Sequence, residues 1–221
     1  MRLNKNIRQT LRIAKIELSS MFYSPVAWLI LVIFALLIGY DYANIFDSQL
    51  HSQSLGNNLW SVSSAIYNSW MTGILKPILR NLYLYIPLIT MGLMSREYQS
   101  GSVKLLYSSP IKNSSIILGK YLAMMCYGAA LMSIIGLNVL FSWLTVENFQ
   151  ISMLLVGMLG IYLLILAYSA IGLFMSTLTA YQVVAAIGTL AVLAVLNFIG
   201  DVGQSIDFVR DITFWLSIYG R

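Results

Sequence analysis

Ile86-Pro87-Leu88-Ile89-Thr90-Met91-Gly92-Leu93-Met94 runs without a charge into Ser95-Arg96-Glu97-Tyr98-Gln99-Ser100-Gly101-Ser102, and the chain then returns through Leu105-Leu106 to Pro110. An apolar run that ends abruptly on a polar cluster is a membrane span meeting water. The polar part has a pattern of its own. Taken as a helix at about a hundred degrees per residue, it places Tyr98, Gly101, Ser102, Leu105 and Leu106 on one face, and Glu97, Ser100 and Lys104 opposite. Gly101 and Ser102 keep the apolar face shallow. A shallow apolar patch edged with charge suits docking into a groove on a partner better than it suits chemistry. The same pattern also serves a short helix resting on lipid headgroups, and the residues alone leave both uses open.

Working outward, the whole chain has the composition of a membrane protein. Of its 221 residues 59% are hydrophobic and 10% charged, with a mean hydropathy of +0.79, against about 25% charge in an ordinary soluble domain. The apolar residues gather in runs of about twenty, the helical length that crosses a hydrocarbon core of about 30 Å. Five such runs are visible, at Phe22–Tyr42, Gly73–Met94, Ile116–Leu144, Ile151–Met175 and Val183–Ile199. The fold class predicted is therefore all-α: a polytopic helical membrane protein in one domain, residues 1–221, with an N-terminal interfacial helix and five transmembrane helices.

Short cytoplasmic segments collect Lys and Arg. Arg2, Lys5, Arg8, Arg12 and Lys15 precede the first run, and Arg96, Lys104, Lys112 and Lys120 follow the second, whereas the Asp41–Thr72 loop has acids and no base. The amino terminus is therefore expected in the cytoplasm. The formal charge of +5 reads as an address for anionic lipid; split between two membrane-proximal segments, it is poor evidence for nucleic acid.

Residues 1–20 form the interfacial helix, with Leu3, Ile7, Leu11, Ala14 and Leu18 on one side and the five bases beside them. Ser24-Pro25 then sets an elbow into the first span. No cleavable leader is apparent, because a long charged segment precedes the first apolar run. The second span is geometrically awkward. Begun after Arg80 it would be about 20 Å long at 1.5 Å per residue, so Lys76 and Arg80 must lie inside its outer end. There they snorkel as anchors, or, being four residues apart on one face, contact a substrate or an external partner. His51, without a carboxylate or Cys nearby, reads as a surface residue, and the single Cys126 precludes an intrachain disulfide. Trp60, Tyr67 and Trp70 belong at headgroup level. Gly172 with Ser176, and Ala185 with Thr189, are small residues spaced by four, a pattern that lets helices approach closely. Beyond Gly200 the polar stretch contains Phe214-Trp215-Leu216, an apolar start that stops, as expected of a chain cut before a sixth span.

The chemistry that is missing is informative. Gly119-Lys120 is followed by Tyr121, and Ser114 stands where a phosphate-binding loop needs its first glycine. No zinc motif, catalytic triad or pair of intramembrane carboxylates is present, so no catalytic, metal or cofactor residue is assigned. A coupling element without a nucleotide site implies a separate engine.

Ile86-Pro87-Leu88-Ile89-Thr90-Met91, then Glu97, Gly101-Ser102, Leu105-Leu106, Ser109-Pro110 and Gly119-Lys120, resemble the first cytoplasmic loop of the ABC-2 type permeases, where Glu, three residues, Gly-Thr, Leu-Leu and Pro follow in order. Lys15-Ile16-Glu17-Leu18 with Phe22-Tyr23-Ser24-Pro25 looks like that family's amino-terminal elbow. Gly172-Leu173-Phe174-Met175-Ser176-Thr177-Leu178-Thr179 with Gln182-Val183-Val184-Ala185 looks like its fourth-to-fifth-span junction. Within the family the likeness is greatest to gliding-motility-associated permeases. Ser102 replaces the usual Thr, and Arg96 and Lys104 stand where acids are common.

The resemblance implies an export-type permease subunit of an ABC transporter, multi-pass in a bacterial inner membrane. Such a subunit is not itself an enzyme; it pairs with a second permease chain, identical or paralogous, and with a cytoplasmic ABC ATPase. It further implies that residues 95–112 form the coupling segment: Glu97 anchors the docked helix, Gly101 and Ser102 permit close approach, Leu105 and Leu106 fill the ATPase groove, and Pro110 closes the motif. The family normally has six spans. The competing class is a non-transport membrane scaffold that holds an external protein through the Asp41–Thr72 loop.

Overall fold

The computed structural model describes residues 2–54, 75–108, 111–145 and 151–205, and every element among them is an α-helix. In chain order these are α1 (Arg2–Tyr23), α2 (Pro25–Ser54), α3 (Leu75–Thr90), α4 (Gly92–Ser100), α5 (Val103–Ser108), α6 (Asn113–Thr145), α7 (Ile151–Leu178) and α8 (Gln182–Ser205). Four of them contain stretches long and apolar enough to cross a bilayer: Pro25–Asn44, Asn113–Phe141, Leu155–Leu178 and Gln182–Ile199. These match four of the five runs expected from sequence. Leu29, Val32, Leu36, Leu159, Val183 and Ile187 are exposed along them, the arrangement of helices whose outer faces meet lipid rather than water.

The remaining run, the second, Gly73–Met94, is not one uninterrupted span. It divides into α3, whose 16 residues rise about 24 Å, and the first turn of α4. Lys76 and Arg80 lie on the first turns of α3, with side chains outside the described residues, as are those of His51, Trp60, Tyr67 and Trp70. Glu147 and Phe214-Trp215-Leu216 lie outside them too. The loop expected from Asp41 begins later, because α2 continues to Ser54.

The chain forms two compact units, one of Met1–Leu82 with Ser109–Ala167 and the other of Tyr83–Ser108 with Tyr168–Arg221. In the first unit the elbow is as the sequence predicts. α1 ends at Tyr23, the Ser24 N–H donates to the Met21 carbonyl at 3.0 Å, and Pro25 opens α2 with its backbone angle already set for a first helical turn. The Trp28 indole N–H donates to the Phe22 carbonyl at 2.8 Å across the turn.

α1 lies along α6, and the contact is close because of Gly119. A Cβ there would stand 2.8 Å from Ile13 Cβ and 3.0 Å from the Thr10 carbonyl oxygen. One residue on, Lys120 Nζ donates to Glu17 Oε2 at 3.0 Å, with the lysine side chain 2% exposed. An ion pair this deep needs its partner, since a buried charge left alone is expensive. The inward face of α1 is thus Ile13, Ala14, Glu17 and Met21. Ile7 and Leu11, which the helical wheel groups with Ala14, are more than half exposed, because α6 meets α1 on the Glu17 side of that stripe. Deeper in this unit, Ile30, Phe34 and Ile38 of α2, spaced by four, are buried, as are Met124, Tyr127, Leu131 and Ile135 of α6. The Tyr127 hydroxyl donates to the Ala27 carbonyl at 2.8 Å. On α7, Tyr162 donates to the Met125 carbonyl at 3.3 Å.

Candidate functional site

In the second unit the polar cluster that opened the sequence reading is fastened to the α7–α8 junction. Pro87 lies inside α3 and has no N–H to give to the preceding turn. Four residues later the helix breaks at Met91, and the cause is a side chain from another helix. The Ser176 hydroxyl oxygen accepts the N–H groups of Met94 at 2.9 Å and Ser95 at 3.1 Å, and donates to the Met91 carbonyl at 3.0 Å. The Ser95 hydroxyl donates to the same carbonyl. A hydroxyl inserted into the i to i−4 ladder separates the two turns, one of the recognised origins of a helix break. It also satisfies backbone groups that would otherwise be bare inside a membrane domain.

Gly172 makes this reach possible. A Cβ at that position would stand 2.7 Å from Thr90 Cβ, so α7 can lie against the end of α3 only if residue 172 has no side chain. The spacing Gly172–Ser176, legible in the sequence as a close-approach pair, therefore does two things one turn apart: glycine removes bulk and serine supplies the hydroxyl.

From this anchored first turn, in which Gly92, Leu93, Met94 and Ser95 are buried, α4 emerges so that Arg96, Gln99 and Ser100 are exposed and Glu97 and Tyr98 half-buried. The Gln182 side-chain amide at the start of α8 donates to Gln99 Oε1 at 3.3 Å. Ala185 and Thr189, the other small pair, are buried, and the Thr189 hydroxyl returns to the Ala185 carbonyl at 2.7 Å. Two of the sequence stretches singled out above, one near residue 90 and one near 176, thus meet in space.

The segment from Glu97 to Tyr107 is not the single helix that its hundred-degree pattern predicts. Gly101 has φ +73°, a left-handed conformation, and closes α4 with its N–H donating to the Tyr98 carbonyl at 3.2 Å. α5 starts afresh at Val103. The shared face of Tyr98, Gly101, Ser102, Leu105 and Leu106 therefore does not exist as drawn, because the reckoning assumes a helix through Gly101. Within the chain a Cβ on Gly101 would meet nothing within 4 Å, so what the fold itself asks of this glycine is its left-handed backbone. Around the corner the Ser100 and Ser102 hydroxyls are 2.9 Å apart, and both donate to the Glu97 carbonyl, at 3.3 and 3.4 Å. Leu105 and Leu106 lie on α5, their side chains outside the described residues, as is all of Pro110.

A model for a family described as ABC-2 family transporter protein matches residues 11–206. The chain belongs to the ABC-2 transporter family. Neither curated proteins nor solved structures provide a match. As an ABC-2 membrane domain, the chain is a permease subunit of an ABC transporter, a multi-pass membrane protein whose family works with an ABC ATPase subunit. The match covers both the elbow and the Met91–Ser176 junction. Sequence reasoning did not find the role of the Ser176 hydroxyl or the Glu17–Lys120 pair. The signal for the pair was present: Glu17 is the only acid before Asp41, and Lys120 the only charge in α6.

Proposed function

We propose that this ABC-2 permease is an export-type subunit of a bacterial inner membrane, with its amino terminus in the cytoplasm, and that its ATPase docks on residues 97–110. The observation that carries this reading is the fastening of α4. Its first turn is hydrogen-bonded to Ser176 and its outer end to Gln182, so a displacement of the exposed α4–α5 segment reaches α7 and α8 directly. Glu97 and Ser102 sit at the corner, Gly101 sets its angle, and Leu105, Leu106 and Pro110 are the residues that the ATPase holds. Because a ligand biases only states it binds unequally, the ATPase must grip them differently in its open and closed forms. A second permease chain completes the assembly. The gliding-motility likeness of the sequence supports a passenger or mechanical task of that kind, and Lys76 and Arg80 on the first turns of α3 are the candidate contacts for it or for an external partner.

A mild-detergent pull-down of the tagged full-length chain from its native membrane, beside a deletion of residues 97–110, tests the reading. An ATPase subunit with vanadate-sensitive hydrolysis should co-purify with the first and be lost from the second. An ATPase retained by the deletion would place docking elsewhere, and no ATPase in either sample would favour the scaffold.

A further inference from the structure

In the first unit, where residue 112 ends the proposed coupling segment, a cavity of about 550 Å³ opens between the amino-terminal half of α1 and the start of α6. Its volume falls in the range of small-molecule sites, about 300–1,000 Å³. Most of its lining is apolar, with Ile7, Leu11, Leu118 and Met125 among the residues. Its polar lining includes Lys112, Ser114 and Ser115. Lys112, whose carbonyl receives the Ser115 and Ile116 N–H groups, places its side chain at the positive end of a 33-residue helix. Ser115 is 5% exposed and lines the cavity. No carboxylate lines the cavity; the nearest acid along α1, Glu17, is engaged by Lys120.

We propose that this cavity binds an anionic glycerophospholipid of the leaflet beside α1, its phosphate between Lys112, Ser115 and the α6 amino terminus and one acyl chain against Ile7, Leu11, Leu118 and Met125. Charge complementarity selects the occupant. A soluble anion would leave the apolar lining empty, and a zwitterionic lipid would bring an ammonium to a cavity whose lining has a lysine and no carboxylate. The position agrees as well. The apolar span of α6 begins at Asn113, so Lys112 stands at headgroup depth. The lipid would bridge α1 and α6 toward the amino terminus of α1, the part that the Glu17–Lys120 pair does not hold.

The test is native mass spectrometry of the full-length chain, delipidated in mild detergent and titrated with dioleoylphosphatidylglycerol or dioleoylphosphatidylcholine. The wild type should retain phosphatidylglycerol about fivefold more tightly, the worth of one interfacial lysine. Lys112→Gln should reduce that preference to near unity, Ser115→Ala should reduce it in part, and Leu118→Trp should weaken both lipids. Leu137→Trp, at an exposed position elsewhere on α6, should change nothing. Lys112 and Leu118 are exposed, so these variants should fold, as circular dichroism would verify. Equal retention of the two lipids by the wild type, a preference that survives Lys112→Gln, or competition by glycerol 3-phosphate as effective as by the lipid would each overturn the proposal.

Discussion

Replacing Ser176 with alanine removes one oxygen and obliges three backbone groups to find other partners. The Met94 and Ser95 N–H groups lose their acceptor, and the Met91 carbonyl keeps only the Ser95 hydroxyl. A buried donor left unsatisfied costs about 1–3 kcal/mol, whereas a side-chain hydrogen bond between membrane helices averages about 0.6 kcal/mol and reaches about 1.7. The two figures differ because a helix in lipid can sometimes re-pair. Here re-pairing requires Met94 and Ser95 to turn back to the carbonyls of Thr90 and Met91, which straightens the break and moves α4 relative to α3. The expected loss is therefore about 1–3 kcal/mol if the break is held open, and less if it straightens. Hydrogen exchange at the amides of residues 94 and 95 in detergent-solubilised protein distinguishes these cases. An open break raises exchange about tenfold or more at both positions, at 1.4 kcal/mol per decade. Straightening leaves exchange low but alters coupling of the permease to its ATPase. Unchanged exchange, thermal stability and coupled hydrolysis together would refute the view that this hydroxyl holds the junction.

Gly101→Ala should cost about 1–2 kcal/mol from its left-handed backbone alone, and Gly101→Asn distinctly less; a larger penalty for Asn in thermal unfolding would point to packing instead. Glu17→Gln leaves the Lys120 ammonium buried without its counter-charge and should destabilise by about 3–5 kcal/mol, with Glu17→Gln/Lys120→Met recovering most of it in the same assay. Gly172→Ala forces a contact with Thr90 at 2.7 Å and should cost about 1–3 kcal/mol by overpacking, read as a fall in melting temperature with no loss of helical circular dichroism.

The parts of the fold legible in the sequence are those that local chemistry dictates. Runs of apolar residues marked four membrane-crossing stretches to within four residues of their ends, though not the polar extension of α2 to Ser54, since an element in lipid must be apolar all round whatever its neighbours. Ser24-Pro25 marked the elbow because proline restricts the residue before it in any context. Gly172–Ser176 announced close approach but not its target, because spacing along one helix does not say which helix meets it. Gly101 misled for a related reason. A helical wheel keeps its phase only while the backbone stays right-handed, and nothing in a wheel registers a reversal of φ. Lys120 counted as one more base near the membrane surface, whereas the fold buries it against an acid 103 residues away in sequence.

The corner at Gly101 has a mechanical consequence. A straight helix from Glu97 to Tyr107 would act as a push rod, delivering a thrust along its axis with little change of direction. Bent at a residue whose backbone has turned left-handed, the segment would work instead as a crank under the docking proposed above: a translation of α5 would become a rotation of α4, with the Ser176 hydroxyl as its fulcrum. Torque, rather than thrust, would then be what the end of α7 receives.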